Sequence, residues 1–392
     1  MKVLIWCTPG HGHFNPIVPL ARTIESMGHQ VAIASSAKFV PVIKRAGFEA
    51  ISAGPDWVEE LADDVLPGFL SSVSPDGHVK MFARIANEAV DDLFDATVSW
   101  GADILMRTPM AYAGWPAAER AGIPHVVVGF MVPLPAEILV NAAPEEFSQL
   151  LATAGVESDP ELQRLFGDLY LDLMPPALIP DGWPLPSDRQ VLRPAVADGV
   201  QNASPPWLDA MEGPIVLVTF GTIFNHSPEL WSVALDAVSS NASVIAAYGP
   251  NRRRPEGRGN ARSVRMEPYV PFDAVLPRCS AIVTHGGYGT VIAALSYGVP
   301  MCCIPISADH PVNAMAVELA GAGLACTTHP YGATPFRIAD PLSLTADRVG
   351  EAVKRLVEEQ SFGERAGEIG REFPALPPLV EGVRRIEALV SP

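Results

Sequence analysis

Two stretches of this chain repeat one local grammar, and that repetition restricts the fold more than any single residue does. Lys2–Cys7 (K-V-L-I-W-C) is a short apolar run that stops at Thr8-Pro9-Gly10, as a buried strand stops at its turn. From Pro16 the apolar residues Ile17, Leu20, Ala21 and Ile24 recur at helical spacing up to Gly28, and Gln30–Ser35 is strand-like again. Strand, helix and strand in this order make a βαβ unit, which predicts a parallel sheet with helices on both faces. Ile104–Met106 and His125–Gly129 read as further strands around a helix at Ala111–Ala121. From about Met131 to Arg193 the rhythm lapses and prolines accumulate, so this stretch reads as helices and loops leading to a connection near Ser204-Pro205-Pro206.

The grammar then restarts. Ile215–Phe220 breaks at Gly221, a helix is expected around Glu229–Ser239, and Ser243–Tyr248 is a strand. Ala281–Thr284, Met301–Ile304 and Leu324–Thr327 complete a second set that alternates with helices. Two similar α/β domains follow, residues 1–205 and 214–375, with helices at Leu344–Glu358 and Phe362–Leu389. Residues 376–392 are expected to pack back on the first domain.

Composition removes several function classes. At 392 residues, 48% hydrophobic and 18% charged, the chain can bury two cores and does not resemble a disordered polymer. Its 27 Lys plus Arg against 44 Asp plus Glu give a net charge of −17, the wrong sign for a protein that grips phosphate backbones. Neither a secretory leader nor a bilayer-length apolar stretch is visible. The cysteines, Cys7, Cys279, Cys302, Cys303 and Cys326, form no C-x-x-C pair, so a reduced cytoplasmic enzyme is expected rather than a disulfide scaffold or zinc module.

The first turn, Thr8–Pro16, reads T-P-G-H-G-H-F-N-P. A dinucleotide fingerprint needs a third glycine, where this chain has Asn15, and an acidic residue in Val31–Ser36, which is missing. The turn instead offers His11 and His13 at the carboxyl end of a parallel strand, where a neutral imidazole suits a general base. The competing reading is that both histidines cap the next helix or hydrogen-bond in the core. A metal pair is disfavoured because no third ligand cluster accompanies them.

The second turn, Thr284–Leu295, reads T-H-G-G-Y-G-T-V-I-A-A-L. Backbone amides in such a turn converge at a helix N-terminus and favour an anion. His285 could add a hydrogen bond or a positive charge, and Thr290 its hydroxyl. The loop lacks the Gly-Lys-Ser/Thr ending of an ATPase P-loop, and a turn needed only for tight packing is the competing reading. Further on, Asp309 sits at another strand's carboxyl end, placed either to accept bonds from sugar hydroxyls or to cap the next helix.

Together these segments resemble the UDP-glycosyltransferase superfamily of GT-B fold, and most of all the bacterial enzymes that attach sugars to antibiotics and other natural products. The resemblance is carried by Gly12-His13-Phe14-Asn15-Pro16, Gly28-His29-Gln30-Val31, His285-Gly286-Gly287-Tyr288-Gly289-Thr290, Gly298-Val299-Pro300 and Pro305–Ala314. It is specific over Tyr269–Gly323 and loose over about 56–193. It implies an α/β fold of two Rossmann-like domains facing each other across a cleft, with the acceptor on the first and a nucleotide-diphosphate sugar on the second. Tyr269 matches the position that stacks on the base, with Val270 offering backbone contacts. His285, Gly286, Gly287, Gly289 and Thr290 would hold the diphosphate, Thr222 could reach it, and Asp309 and His310 would face the sugar. His13 would be the base of a single displacement with inversion. The scheme implies no metal and no cofactor beyond the sugar nucleotide, and the absence of any Asp-x-Asp agrees. The partners implied are the small-molecule acceptor and the nucleotide sugar; a homodimer is left open.

Three departures from the family pattern stand out. The position eight residues after the loop histidine, usually Glu, is Ala293, which suggests a dTDP-sugar whose deoxyribose lacks the 2′-hydroxyl. Asp309-His310 replaces the frequent Asp-Gln, which fits a modified or deoxy sugar as readily as glucose. Thr108 stands where many relatives carry an Asp that orients the catalytic histidine; Thr108 could relay weakly, Asp91 or Asp92 could substitute, or the acceptor could be acidic, phenolic or enolic. These losses keep a non-catalytic homologue in view, and the fold is shared with sugar-nucleotide epimerases. Elsewhere, the six arginines between Arg252 and Arg265 read as a solvated loop or, in competition, an anion site. The apolar residues of Pro55–Leu70, with Trp57, Leu66 and Phe69, read as an acceptor pocket, a mobile lid or ordinary core, and Cys302 and Cys303 as structural.

Overall fold

The computed structural model describes residues 1–58, 75–195, 204–221, 225, 227–238, 242–249, 253–256, 261–330 and 334–390. Two compact units emerge: Met1–Pro175 with Gly182–Arg193 and Leu376–Pro392, and Pro176–Asp181 with Pro194–Ala375.

The first unit is built on a seven-stranded sheet in the order β3-β2-β1-β4-β5-β6-β7. Its strands are β1 (Lys2–Trp6), β2 (Gln30–Ser35), β3 (Glu49–Ser52), β4 (Ile104–Arg107), β5 (His125–Gly129), β6 (Leu169–Asp172) and β7 (Arg189–Val191). Every pairing is parallel, from Lys2 opposite Gln30 to Asp172 opposite Val191. All four residues of β4 and all five of β5 are buried, as expected of strands covered by helices on both faces. The helices are α1 (His11–Ser26), α2 (Val40–Arg45), α3 (Pro75–Trp100), α4 (Gly114–Ala121), α5 (Ala136–Ala142) and α6 (Pro144–Ala154). On one face Trp115, Tyr112, Phe147 and Leu150 form a core with Phe82, Val90 and Leu93 of α3.

Helix α1 starts at His11, not Pro16 as the proline suggested. A proline costs a helix no hydrogen bond only in the first turn, where its missing N–H has no partner; further in, it removes a bond to the carbonyl four residues back. Here Pro16 and Pro19 sit inside the helix, so the Gly12 and Asn15 carbonyls lack that helical acceptor role. The proline-rich stretch 131–193, read as helices and loops, also contributes β6 and β7 to the sheet edge. Both are too short for periodicity to reveal.

The second unit has six parallel strands in the order β10-β9-β8-β11-β12-β13. These are β8 (Ile215–Thr219), β9 (Ser243–Ala247), β10 (Ser263–Glu267), β11 (Ala281–Thr284), β12 (Met301–Cys303) and β13 (Gly323–Ala325). Helices α7 (Pro228–Asp236), α8 (Phe272–Val275), α9 (Tyr288–Ser296), α10 (His310–Leu319), α11 (Ala346–Glu358) and α12 (Gln360–Glu372) accompany them. Ser227 caps α7 through the Leu230 amide, and Thr345 caps α11 through the Arg348 amide. The arginine island supplies part of edge strand β10, and three of its described arginines pair with carboxylates, Arg253 with Glu256, Arg262 with Glu212 and Arg265 with Glu267, while Arg254 Nε donates to Met266 Sδ. Cys302 and Cys303 are buried in β12, with Cys302 Sγ 3.6 Å from Cys326 Sγ.

The final stretch breaks at Pro374, Pro377 and Pro378, so one expected helix becomes α12 and α13 (Leu379–Val390). Helix α13 belongs to the first unit, where Glu387 meets His29 at 2.8 Å and Arg385 meets Asp188 at 2.6 Å. Among the described residues no helix is long and apolar enough to cross a membrane.

Candidate active site

In each sheet, strand order reverses direction once, between β1 and β4 in the first unit and between β8 and β11 in the second. Open α/β sheets bind ligands beyond the carboxyl ends of strands at such a switch point. The histidine-bearing turns lie at those two places.

In the second unit, β8 ends before Phe220-Gly221 and β11 before His285-Gly286-Gly287. A Cβ on Gly221 would lie 2.8 Å from His285 Nε2, and one on Gly287 only 2.5 Å from the same atom. The imidazole is therefore held between two backbone segments that only glycine leaves open. Gly287 has φ −64°, so its requirement is space; Gly286, at φ 90°, also needs a left-handed backbone. Thr284 Oγ1 lies 3.3 Å from His285 Nδ1. Burial drives the His285 pKa down to about 4, although a backbone bond at Thr219 opposes this. The ring is thus a neutral hydrogen-bonding group near pH 7.

The turn after β12 closes on this histidine. His310, the first residue of α10, is 4% exposed and accepts at Nδ1 from the Ser307 amide at 3.3 Å. Asn313 Nδ2 donates to the Gly286 carbonyl at 3.0 Å and to Asp309 Oδ2 at 2.7 Å, tying the two loops together. Asp309 stands at the N-cap position of α10 but makes no capping bond there, which removes the simple capping reading. Its carboxylate is bonded by Asn313 and by the Tyr288 amide at the start of α9, and burial raises its pKa to about 6. Ala308, just before it, has φ 52°, a left-handed conformation rare for a residue with a Cβ.

Thr290 is nearly buried in the first turn of α9, while a Cβ on Gly289 would meet nothing within 4 Å. Tyr269, just beyond β10, is 69% exposed, an unusual state for a large aromatic ring, and Val270 beside it is buried. Thr222 lies outside the described residues, as do Leu66 and Phe69.

In the first unit, Gly10 is the N-cap of α1 and no side chain caps it, so neither histidine performs that role. His11 packs edge-on against Phe39 at 5.8 Å, whereas His13 packs against Phe130 at 5.7 Å and Phe82 at 6.2 Å. Surrounded by these rings, His13 is driven down to a pKa of about 4 by desolvation. Thr108 is fully buried and accepts a bond from the Thr8 amide at 3.4 Å. The two acids considered as substitutes are engaged at the surface instead: Asp91 pairs with Arg120 at 2.5 Å, and Asp92 accepts from the Gly54 amide at 3.2 Å. Among the described residues no three His, Cys, Asp or Glu side chains gather as a metal-binding group.

Sequence reasoning missed Phe82, Phe130, Arg107 and His125. An arginine closing the buried run I-L-M-R was a visible signal. The two phenylalanines carried none, because only the fold brings them beside His13.

Residues 232–389 match the family described as the C-terminal domain of erythromycin biosynthesis protein CIII-like proteins. The chain is 34% identical over 342 residues to L-demethylnoviosyl transferase of Streptomyces niveus, covering 83% of this chain and 84% of that protein. It is 30% identical over 399 residues to elloramycin glycosyltransferase ElmGT of Streptomyces olivaceus, covering 96% and 94%. Among solved structures, glycosyltransferase VinC in complex with dTDP superposes with a TM-score of 0.73 at 25% identity, over 100% of this chain and 99% of that one.

Proposed function

The chain belongs to the glycosyltransferases of antibiotic biosynthesis, which have the GT-B fold, and we propose that it transfers a sugar with inversion from a dTDP-sugar to an apolar natural-product acceptor. The observation that carries this reading is the gathering of His285, Asp309, His310 and the N-terminus of α9 at one switch point. A diphosphate is the ligand such a place favours. Backbone amides and the helix dipole point there, and a neutral imidazole adds an N–H. Asp309 and His310 then face the sugar, and exposed Tyr269 offers its ring to the base.

Thymidine rather than uridine is supported by Ala293, whose methyl cannot accept bonds from a ribose 2′-hydroxyl, and by the dTDP that VinC binds. In the first unit His13 is the base. Neutral at pH 7, it takes the acceptor's proton as the acceptor's nucleophilic atom bonds to the anomeric carbon and the bond to the diphosphate breaks. The charge developing on the leaving diphosphate falls on the amides of α9 and on His285. The scheme uses no metal and no further cofactor.

The non-catalytic reading draws on Ala293 and Thr108, the second because it gives His13 no carboxylate to stabilise its imidazolium. Calorimetric titration with dTDP and UDP, followed by incubation with dTDP-sugars, decides. Tighter binding of dTDP with slow release of nucleoside diphosphate is expected; tighter binding of UDP rejects the thymidine assignment, and binding without turnover favours the non-catalytic reading.

A further inference from the structure

Arg107 is the group of the first unit that this chemistry leaves unused. It closes β4 and is 1% exposed. Its Nε donates to His125 Nε2 at 3.0 Å, its Nη1 to the carbonyls of Thr108 at 3.1 Å and Pro109 at 2.5 Å, and its Nη2 to the carbonyl of Leu165. A guanidinium has five N–H donors. One Nη2 N–H therefore has no acceptor among the described residues.

None of these acceptors is charged. His125 Nε2 must present a lone pair to receive its bond, so the ring proton sits on Nδ1, and burial together with Arg107 holds the ring neutral. Two phenols face the guanidinium, Tyr112 with its ring centroid 5.8 Å away, and Tyr170. Burial pushes both upward, so neither supplies a negative charge. Among the described residues no carboxylate faces Arg107. Burial lowers its own pKa only to about 10, so it stays cationic at neutral pH. A lone buried cation is costly, and its cost falls when an anion is brought to it.

Arg107 also lines a cavity of about 30 Å³ with Met131, Leu134, Phe166 and the two tyrosines. Gly129 leaves room for its Tyr170 wall, since a Cβ there would fall 2.2 Å from the phenol oxygen. A second cavity of about 10 Å³ shares Met110 and Tyr112 with the first and reaches Phe82, the ring beside His13.

We infer that this cavity is an anion subsite in which Arg107 receives a carboxylate carried by an otherwise apolar acceptor. The volume suits one small oxygen-bearing group, so the rest of the molecule lies outside it. A carboxylate is ionised throughout the neutral range and always opposes the buried charge, whereas a phenol does so only after losing its proton. That the bound molecule is the acceptor rests on the transferase reading; the anion subsite itself does not.

The test uses the full chain and two probes of one shape, 2-naphthoate and 2-naphthamide, titrated calorimetrically at pH 7. The wild-type protein is expected to bind the naphthoate at least tenfold more tightly than the amide, and Arg107→Gln to bind both equally. Leu134→Trp fills the cavity from a half-buried position and is expected to weaken naphthoate binding at least tenfold; it decides alone if Arg107→Gln does not fold. Equal binding of the two probes by the wild type, or a naphthoate preference that survives either substitution, overturns the inference. Titrating the same samples with dTDP keeps the two readings apart. If dTDP fails to bind while the naphthoate preference holds, the donor assignment falls and the anion subsite stands.

Discussion

The imidazoles of His285 and His310 meet edge to face, with centroids 4.4 Å apart and planes at 89°. That contact joins the loop after β11 to the loop after β12, and Asn313 reinforces it by bonding both. The glycine turn after β11 and the turn after β12 thereby become one surface.

The first prediction concerns the space around His285. A methyl at Gly287 would sit 2.5 Å from Nε2 and displace the ring without straining the backbone. Gly287→Ala is expected to weaken dTDP about 10- to 100-fold by calorimetry, close to the loss from His285→Ala. The double variant should lose no more than either single one, because both remove the same interaction. Additive losses would refute the shared cause.

Asp309 yields a pH signature. Its folded pKa, about 6, lies above the ordinary carboxylate value, so the ionised form weighs against folding. Stability tied to this group is present at low pH and lost as pH rises through about 6. Asp309→Asn is therefore expected to stabilise the protein by about 1–2 kcal/mol at pH 8 and by almost nothing at pH 4, discounted for its partial exposure. Urea unfolding of both proteins at the two pH values checks this, and equal stability at pH 8 rejects it.

The left-handed Ala308 stores strain beside the same carboxylate. Ala308→Gly is expected to raise stability by about 1 kcal/mol, or about 2–4 °C in Tm by scanning calorimetry. A fall in Tm would mean that the loop needs the stiffness of alanine more than it suffers from the strain.

His13 should behave as a base whose acid limb is displaced. Turnover is lost as protonation removes the base, so with a pKa near 4 the rate should stay level from pH 8 to 6 and decline only toward that value. His13→Ala should lower kcat by about 10²-fold or more with intact dTDP binding. Near-normal turnover in that variant excludes His13 as the base.

Ala293 invites a reversal of donor choice. Ala293→Glu places a carboxylate where the family usually binds ribose, and the ratio of UDP to dTDP affinity is expected to rise about tenfold. An unchanged ratio would move the source of nucleoside preference elsewhere.

The chain's own order of residues determined its architecture. Apolar runs ending in glycine turns announced β1, β8 and β11, because a buried parallel strand must be apolar throughout and must stop where the backbone turns. The same turns announced His13 and His285 at strand ends. Strands β6 and β7 escaped, since three or four residues among prolines carry no readable period. Only the tertiary structure decided which side chains meet. Gly221 and Gly287 are 66 positions apart in sequence yet frame one imidazole. Asp309 looks like a helix cap until its bonds to Tyr288 and Asn313 are seen. Arg107 looks like the end of a strand until no carboxylate among the described residues is found to oppose its charge. Periodicity is a local property of the chain, whereas burial, desolvation and charge balance depend on neighbours brought together from distant positions.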